Sequence, residues 1–371
     1  MNITFVLAVY NKLELTKNCY NHLRQIYPDT PLVISSGGST DGTADWLQSL
    51  NDENLSFFHD DDRLSFSETY NAGIDLVDTE KLVLIHNDMV IGEGFLEAIE
   101  KQLTHGMILS YTTVEPPIFK DHSRPGKVLL DLGSGFEDFN FVSFDEFVAK
   151  NNQSPNLYDG AVFFMSAYKS TFIKLGGFDG KSFRPCFCED DDFLIRAKLA
   201  GYTLKTCESA IAYHFVSQTS RFSDEMKDKR GDIELASNRN FVRKWGIPVM
   251  MFNQIDYQKI DNFSYNRFSM GFKTDNKDLL FLYEPFFDKI NVEQLPSDYI
   301  EREQANSTYD LTDKFANFDV VDVELSNLTE LKPEDIQILY TLRLSLPQYE
   351  PGEYQVGNFK ITIKKPLSLS A

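Results

Sequence analysis

Cysteine is scarce in this chain. Four thiols, Cys19, Cys186, Cys188 and Cys207, are spread over 371 residues. That is too few to staple a scaffold of this length with disulfides. Cys186 and Cys188 stand one residue apart and no second Cys/His pair has zinc-knuckle spacing, which argues against a structural zinc site. The usage suits a reducing compartment. Long apolar runs are missing too: none reaches the ~18 to 20 residues needed to span a bilayer. The opening Met1–Tyr10 has neither a positively charged n-region nor a small-residue cleavage site. Positive charge is in short supply, with 36 Lys and Arg against 56 Asp and Glu and a formal net charge of -20. Such a surface repels phosphate backbones and anionic headgroups, so nucleic acid is not the default partner. Neither the glycine fingerprint of dinucleotide folds nor a P-loop is present. The expectation is a soluble, cytoplasmic protein without a transmembrane segment.

What is present is a sizeable core, with 42% hydrophobic and 13% aromatic residues. The first 110 residues alternate between two patterns. Short apolar runs at Ile3–Val9, Leu32–Ser35, Leu55–Phe58, Leu82–His86 and Met107–Ser110 read as buried strands. Helical spacing fills Leu13–Ile26, Thr43–Leu50, Ser67–Val77 and Gly94–Leu103, with Thr40 or Asp41 as a cap for the second helix. This alternation predicts an α/β fold built on a largely parallel, doubly wound sheet. Ligands in such sheets bind at the carboxyl ends of the strands.

Residues 112–158 break the rhythm with several Pro and Gly and read as an inserted flap carrying one helix near Phe144–Lys150. Alternation resumes with a strand at Gly160–Ser166, helices near Lys169–Leu175 and Glu189–Ala200, and a short strand pair before His214. Residues 218–245 look helical, stopped by Trp245-Gly246-Ile247-Pro248. Trp46 and Trp245 read as packing residues. The texture changes after about residue 250. Residues 291–335 hold 12 acidic and 3 basic side chains, and Tyr354–Lys365 alternates like a hairpin. The division expected is a domain over 1–249 and an α/β appendage over 250–371, for which acceptor recognition, oligomerisation and protein docking are all open.

Two acidic clusters stand out. The run Leu82–Ile85 ends in His86-Asn87-Asp88, and Glu189-Asp190-Asp191-Asp192 opens a helix. Acids at a helix start are favourable with the dipole, and by composition alone that is sufficient reason for them. They also form the minimum set for moving a group off a diphosphate. The departing charge needs a cation, and Mg²⁺ or Mn²⁺ takes one or two protein carboxylates plus phosphate oxygens. An acceptor hydroxyl needs a general base.

Four segments in order carry a resemblance. They are Val9-Tyr10-Asn11 with Ser36-Gly-Gly-Ser-Thr-Asp-Gly-Thr43, then Asn71-Ala-Gly-Ile74, then His86-Asn-Asp88, and finally Gly176-Gly-Phe-Asp179 with Glu189-Asp-Asp-Asp192, Arg196, Gly201-Tyr202 and His214. Together, over about residues 3 to 215, they are similar to family 2 glycosyltransferases of the GT-A fold, a Rossmann-like sheet flanked by helices. The resemblance implies an inverting transfer of a sugar from a nucleotide-sugar, a UDP-sugar foremost, to an acceptor hydroxyl on a glycan, lipid-linked or other molecule, assisted by Mn²⁺ or Mg²⁺.

Residue by residue, it implies that Asp88 contacts the metal as the last Asp of the family's Asp-x-Asp motif, whose first Asp is His86 here. His214 implies a third metal or diphosphate contact. Asp190 implies the catalytic base, with Glu189 or Asp191 as the alternative; Asp192 and Arg196, two and six residues further on, point elsewhere on the helix and read as fixing it through an ion pair. Val9, Asn11, Ser36, Asp41, Asn71, His86 and Asn87 fall on the nucleotide side. Ser36 stands where the family commonly has a base-reading Asp. Gly37-Gly38 reads equally as a close approach to ligand or a tight turn. Two further readings stay open: a catalytically idle protein that binds nucleotide-sugar or glycan, and a transferase acting on a modified nucleic-acid base.

Overall fold

In the computed structural model, the uninterrupted apolar run Ile3–Val9 forms β1, at the heart of a ten-stranded sheet. The structure describes residues 2–118, 124, 126–216, 228–249, 268–274, 276–305, 307, 309–316 and 318–367. They divide into two units, Met1–Gly180 with Glu189–Gly231, and Lys181–Cys188 with Asp232–Ala371.

In the first unit, chain order runs β1, α1 (Leu13–Ile26), β2 (Leu32–Gly37), α2 (Thr43–Ser49), β3 (Leu55–Asp60), α3 (Phe66–Asp75), β4 (Lys81–Ile85), β5 (Met89–Ile91), α4 (Phe95–Gln102) and β6 (Met107–Glu115). It continues with β7 (Lys127–Leu129), α5 (Phe141–Asn151), β8 (Leu157–Asp159), β9 (Met165–Tyr168), α6 (Lys169–Leu175), α7 (Glu189–Leu199) and β10 (Thr203–His214). The strand order is β3-β2-β1-β4-β9-β6-β10-β5, with β7 on β6 and β8 on β10. β3, β2, β1 and β4 run parallel, as do β10, β6 and β7, while β9, β5 and β8 enter antiparallel. This is the expected mixed α/β architecture, a mostly parallel sheet flanked by helices. Crossover helices cover the faces, so β1, β2 and β4 are buried almost throughout.

Local chemistry accounts for several boundaries. Helix α3 starts on a capping box, with Ser65 accepting from the Glu68 amide and Glu68 reaching back to the Ser65 amide. Helix α2 is entered through Gly42 at φ 88°, which has no side chain to cap it, and the Thr43 amide donates to Asp41 at 3.3 Å. The Asp41 carboxylate also accepts from the Leu13 amide at 2.7 Å and from the Thr43 hydroxyl at 2.6 Å, tying the α2 entry to the start of α1.

Three expectations need correction. The strand expected at Gly160–Ser166 begins only at Met165, because the main chain at Val162 is taken by the Ser110 hydroxyl (2.8 and 2.9 Å) instead of by a ladder. The strand pair before His214 is one strand, β10, whose register shifts between Cys207 and Ile211. The flap starts after Glu115 rather than at residue 112, since β6 runs on to Glu115, and its helix is longer, Phe141–Asn151. The helix expected over 218–245 is seen as α8 (Arg230–Trp245); residues 218–227 lie outside the described residues.

The second unit holds a five-stranded sheet, β12-β11-β13-β15-β14, of β11 (Met270–Lys273), β12 (Lys289–Asn291), β13 (Val323–Asn327), β14 (Gly352–Val356) and β15 (Phe359–Ile363). The last two form the expected antiparallel hairpin. Phe272, Tyr283, Phe287, Leu325, Phe359 and Ile361 fill its core. Beside them lies a buried ionic cluster. The Glu284 carboxylate accepts from Arg243 at 2.6 Å, from Arg239 at 3.2 Å and from Tyr299 at 3.0 Å, and also pairs with Lys314. Glu303 accepts from both arginines at 2.7 Å. No helix among the described residues is long and apolar enough to cross a membrane.

Candidate active site

Strand pairing assembles the first unit's site from distant stretches of chain. Met89 of β5 pairs with His214 of β10, and the Phe215 amide donates to the Asp88 carbonyl at 3.0 Å. That rung sets His214 beside Asp88. On the other side of β10, Tyr213 lies opposite Val114 of β6, so His214 and Glu115 come next along the parallel ladder. His86 follows the last residue of β4. Ligand-type atoms of His86, Asp88 and His214 all lie within 4.8 Å of one another. Asp88 Oδ1 stands 3.4 Å from His214 Nε2 and 3.8 Å from His86 Nδ1. The Phe163 ring lies 4.8 Å from the His86 ring, and the Phe164 ring 4.8 Å from the His214 ring.

The electrostatics of the two imidazoles diverge. Burial lowers the His86 pKa to about 4, with His214 adding to the effect and Asp88 opposing it. His86 is therefore neutral at neutral pH, and its Nε2 is buried with no hydrogen-bond partner among the described residues. For His214 burial also pulls downward, but Asp88 and Glu115 outweigh it and raise the pKa to about 9. Burial would lift Glu115, yet His214, Arg124 and Thr113 hold it down at about 2. Two imidazoles and a carboxylate converging around an unsatisfied ring nitrogen fit a divalent cation.

The second acidic cluster opens α7. Arg196 anchors that helix: it pairs with Asp192 at 2.9 Å and donates to the carbonyls of Leu175 and, at 2.8 Å, Gly177. The ion pair expected from the sequence is thus what fixes the helix. Burial pushes the Asp190 carboxyl up. Burial pushes Asp191 well up, and repulsion from Asp190 and Asp192 adds to it. Glu189 is buried. The buried Tyr70 hydroxyl donates to the Ile85 carbonyl at 2.7 Å. Burial raises its pKa well above the ordinary range, and the charges of Asp88 and Glu189 raise it further.

Several other candidates have their polar atoms engaged within the protein. Asn71 clamps the loop after α6, its Nδ2 donating to the Phe178 carbonyl at 2.8 Å and its Oδ1 accepting from the Phe178 amide at 2.9 Å. Gly177, at φ 69°, makes room for it, since a Cβ there would come within 2.6 Å of Asn71 Oδ1. Phe178 itself is core, packed on Phe193 and Tyr70. Asn71→Ala strands both Phe178 main-chain groups and is expected to cost about 1–3 kcal/mol; thermal or urea denaturation reads it, and a change below ~0.5 kcal/mol would contradict the clamp.

Asn87 donates to the Thr16 hydroxyl at 3.0 Å in a buried site. Asn11, at φ 53°, accepts from the Thr40 amide at 2.8 Å, and its own amide donates to the Ser39 hydroxyl at 2.8 Å. Ser36 is fully buried, with its hydroxyl 2.8 Å from Ser39 Oγ and 3.2 Å from His59 Nδ1. Val9 is buried at the end of β1. Gly38, at φ 80°, approaches not open space but the Arg63 backbone, 2.8 Å from where a Cβ would stand. Arg63 in turn lies over the Tyr10 ring.

Sequence reading passed over Glu115, Arg124, Lys127, His59 and Arg63. Glu115 accepts from Arg124 at 2.7 Å and from Thr113 at 2.8 Å, and Lys127 lies 3.3 Å away. The signal for Glu115 was an acid ending a strand just before Pro116-Pro117.

No curated protein matches the chain. Among solved structures it is similar to the mannosyltransferase PcManGT from Pyrobaculum calidifontis in complex with GDP-Man and Mn²⁺, at 17% identity and a TM-score of 0.41 over 65% of this chain and 61% of that one. It is similar to GalNAc-T7 with UDP, GalNAc and Mn²⁺, at 12% identity and a TM-score of 0.46 over 70% of this chain and 49% of that one. A third is S. aureus TarS 1-349 in complex with UDP-GlcNAc, at 12% identity and a TM-score of 0.41 over 65% and 73%. The chain thus spans less than two thirds of the first two. Residues 4–169 match the family model for glycosyl transferase family 2, a span that holds β1, β2, the His86-Asn87-Asp88 turn and the flap. Over that span the chain is similar to glycosyl transferase family 2.

Proposed function

We propose that the first unit is a metal-assisted, inverting glycosyltransferase that moves a sugar from a nucleotide-sugar to an acceptor hydroxyl. The observation that carries the reading is the convergence of His86, Asp88 and His214 at the carboxyl end of the sheet, the first two inside the span that resembles this family. Asp88, His214 and His86 would hold the cation. When bound, the ion neutralises charge on the diphosphate leaving group. Imidazole donors favour a transition-metal ion such as Mn²⁺ over Mg²⁺, which prefers an all-oxygen set.

The remaining work belongs to the chain. Phe163 and Phe164 pack against the two imidazoles and wall one side of the ligand set. Asp190 is the base that takes the acceptor proton, and its raised pKa makes it the better proton acceptor. Attack from the face opposite the leaving group then inverts the anomeric carbon. Asn71 and Arg196 stage the loop and helix that carry this acid. At the nucleotide end, Asn11, Ser36 and Asp41 build the loop wall, and recognition there falls to main-chain groups.

The test is a panel of nucleotide-sugars assayed for transfer and hydrolysis with Mn²⁺, with Mg²⁺ and with chelator. Turnover of one donor class is expected, faster with Mn²⁺ than with Mg²⁺ and abolished by chelator. Undiminished turnover in chelator removes the metal from the reading. Donor binding without turnover across the panel makes the protein a nucleotide-sugar binder instead.

A further inference from the structure

We infer that Glu115 is a positioning residue that sets the tautomer of His214, an inference resting on the metal site proposed above. The two nitrogens of the His214 ring face different carboxylates: Nε2 lies 3.4 Å from Asp88 Oδ1 and Nδ1 lies 3.6 Å from Glu115 Oε1. A neutral imidazole carries one N–H, and the nitrogen that ligates a cation must be the bare one. For Nε2 to be bare beside Asp88, the ring proton must sit on Nδ1. Nδ1 is buried, without a hydrogen bond among the described residues, and the acceptor nearest in register is Glu115. At 3.6 Å the contact is longer than a hydrogen bond, and a ring rotation that brings it under ~3.2 Å makes one.

Glu115 is built to accept that bond rather than to ligate. Oε1 is held by the Thr113 hydroxyl at 2.8 Å and by Arg124 at 2.7 Å, and Oε2 faces Lys127 at 3.3 Å. Those donors fix the carboxylate and balance its charge, so it stays an ionised acceptor aimed at Nδ1. A ligating histidine that gives its second N–H to a carboxylate is oriented and made more basic by it. The ladder enforces the arrangement, because Glu115 and His214 occupy the next positions after the paired Val114 and Tyr213.

The experiment uses the full chain and measures Mn²⁺ affinity for wild type, Glu115→Gln, Glu115→Asp and Asp88→Asn, beside their unfolding midpoints. A long-range ¹H–¹⁵N spectrum with diamagnetic Cd²⁺ as probe reads the His214 tautomer. Glu115→Gln is expected to keep the fold and lose about 10- to 100-fold in Mn²⁺ affinity, with partial rescue by Glu115→Asp. The wild-type spectrum is expected to show the proton on Nδ1. Wild-type affinity in Glu115→Gln while Asp88→Asn binds poorly overturns the Glu115 assignment alone. Wild-type affinity in both variants overturns the metal-site reading and this inference with it. Should Glu115→Gln fail to fold, the wild-type spectrum decides: a proton on Nε2 with Cd²⁺ bound overturns the inference.

Discussion

Asp190→Asn is expected to bind nucleotide-sugar like the wild type and to transfer sugar about 10²- to 10⁴-fold more slowly, the range for losing a positioned general base. The amide has the size of the carboxylate but cannot accept the acceptor's proton. Helix α7 should be undisturbed, because its anchor is the Asp192–Arg196 pair with the Leu175 and Gly177 carbonyls. The loss should therefore appear in kcat, with donor Kd unchanged. Burial raises the Asp190 pKa. A base must be ionised to act, so wild-type activity should fall on acidification at a pH above the ordinary aspartate range, and the residual activity of the variant should lack that limb. Near wild-type transfer by Asp190→Asn would remove the base assignment and turn attention to Glu189, whose Gln variant belongs in the same series.

The second large effect lies in the other unit. Glu284→Gln is expected to destabilise it by about 3–5 kcal/mol, the range for removing one partner of a buried ionic group. Glu284 is fully buried, and its carboxylate is the shared acceptor for Arg239, Arg243 and Lys314. Gln leaves Glu303 alone among those three cations. Burial would raise the Glu284 pKa, but Lys314 and Arg243 overcome it and hold the group far below the usual carboxylate range. A pKa depressed on folding contributes stability above the unfolded value of about 4.3. That contribution drains away as pH falls from there toward the depressed folded value. Wild-type protein should thus lose protection at β11 and β13 amides between about pH 5 and pH 3, and the variant should start lower and decline less steeply. Hydrogen exchange against pH measures both. A loss under ~1 kcal/mol with an unchanged slope would show that the cluster is not what holds this unit together.

How far the sequence disclosed the site depends on the element. β1 and α1 were legible to the residue, because an unbroken apolar run and a clean helical period leave no competing pattern. The acidic turn after β4 and the acidic start of α7 were legible too, the one following and the other opening an unambiguous element. β6 was cut short at Ser110 because Ser110, Thr112 and Thr113 look like surface residues. They are buried, their hydroxyls spent on Val162, Cys207 and Glu115. Losing the end of that strand meant losing Glu115. The strand pair expected before His214 is the single strand β10, with a register shift between Cys207 and Ile211. Asn11, Asp41, Asn71 and Asn87 show a different limit. A motif says that a side chain belongs near the site, but not whether it faces ligand or loop, and here each is engaged with protein.

The rung between Met89 and His214 has a thermodynamic consequence. Asp88 and His214 meet only when an edge strand docks on β10, so an unfolded chain offers no such trio to a cation. An ion held there binds the native state alone, and mass action then favours that state. Each tenfold rise in free ion above its dissociation constant adds about 1.4 kcal/mol to the stability of the first unit. Slow exchange at the β5 amides would deepen in step with Mn²⁺, and an ion bound there would act as a clasp on the open edge of the sheet.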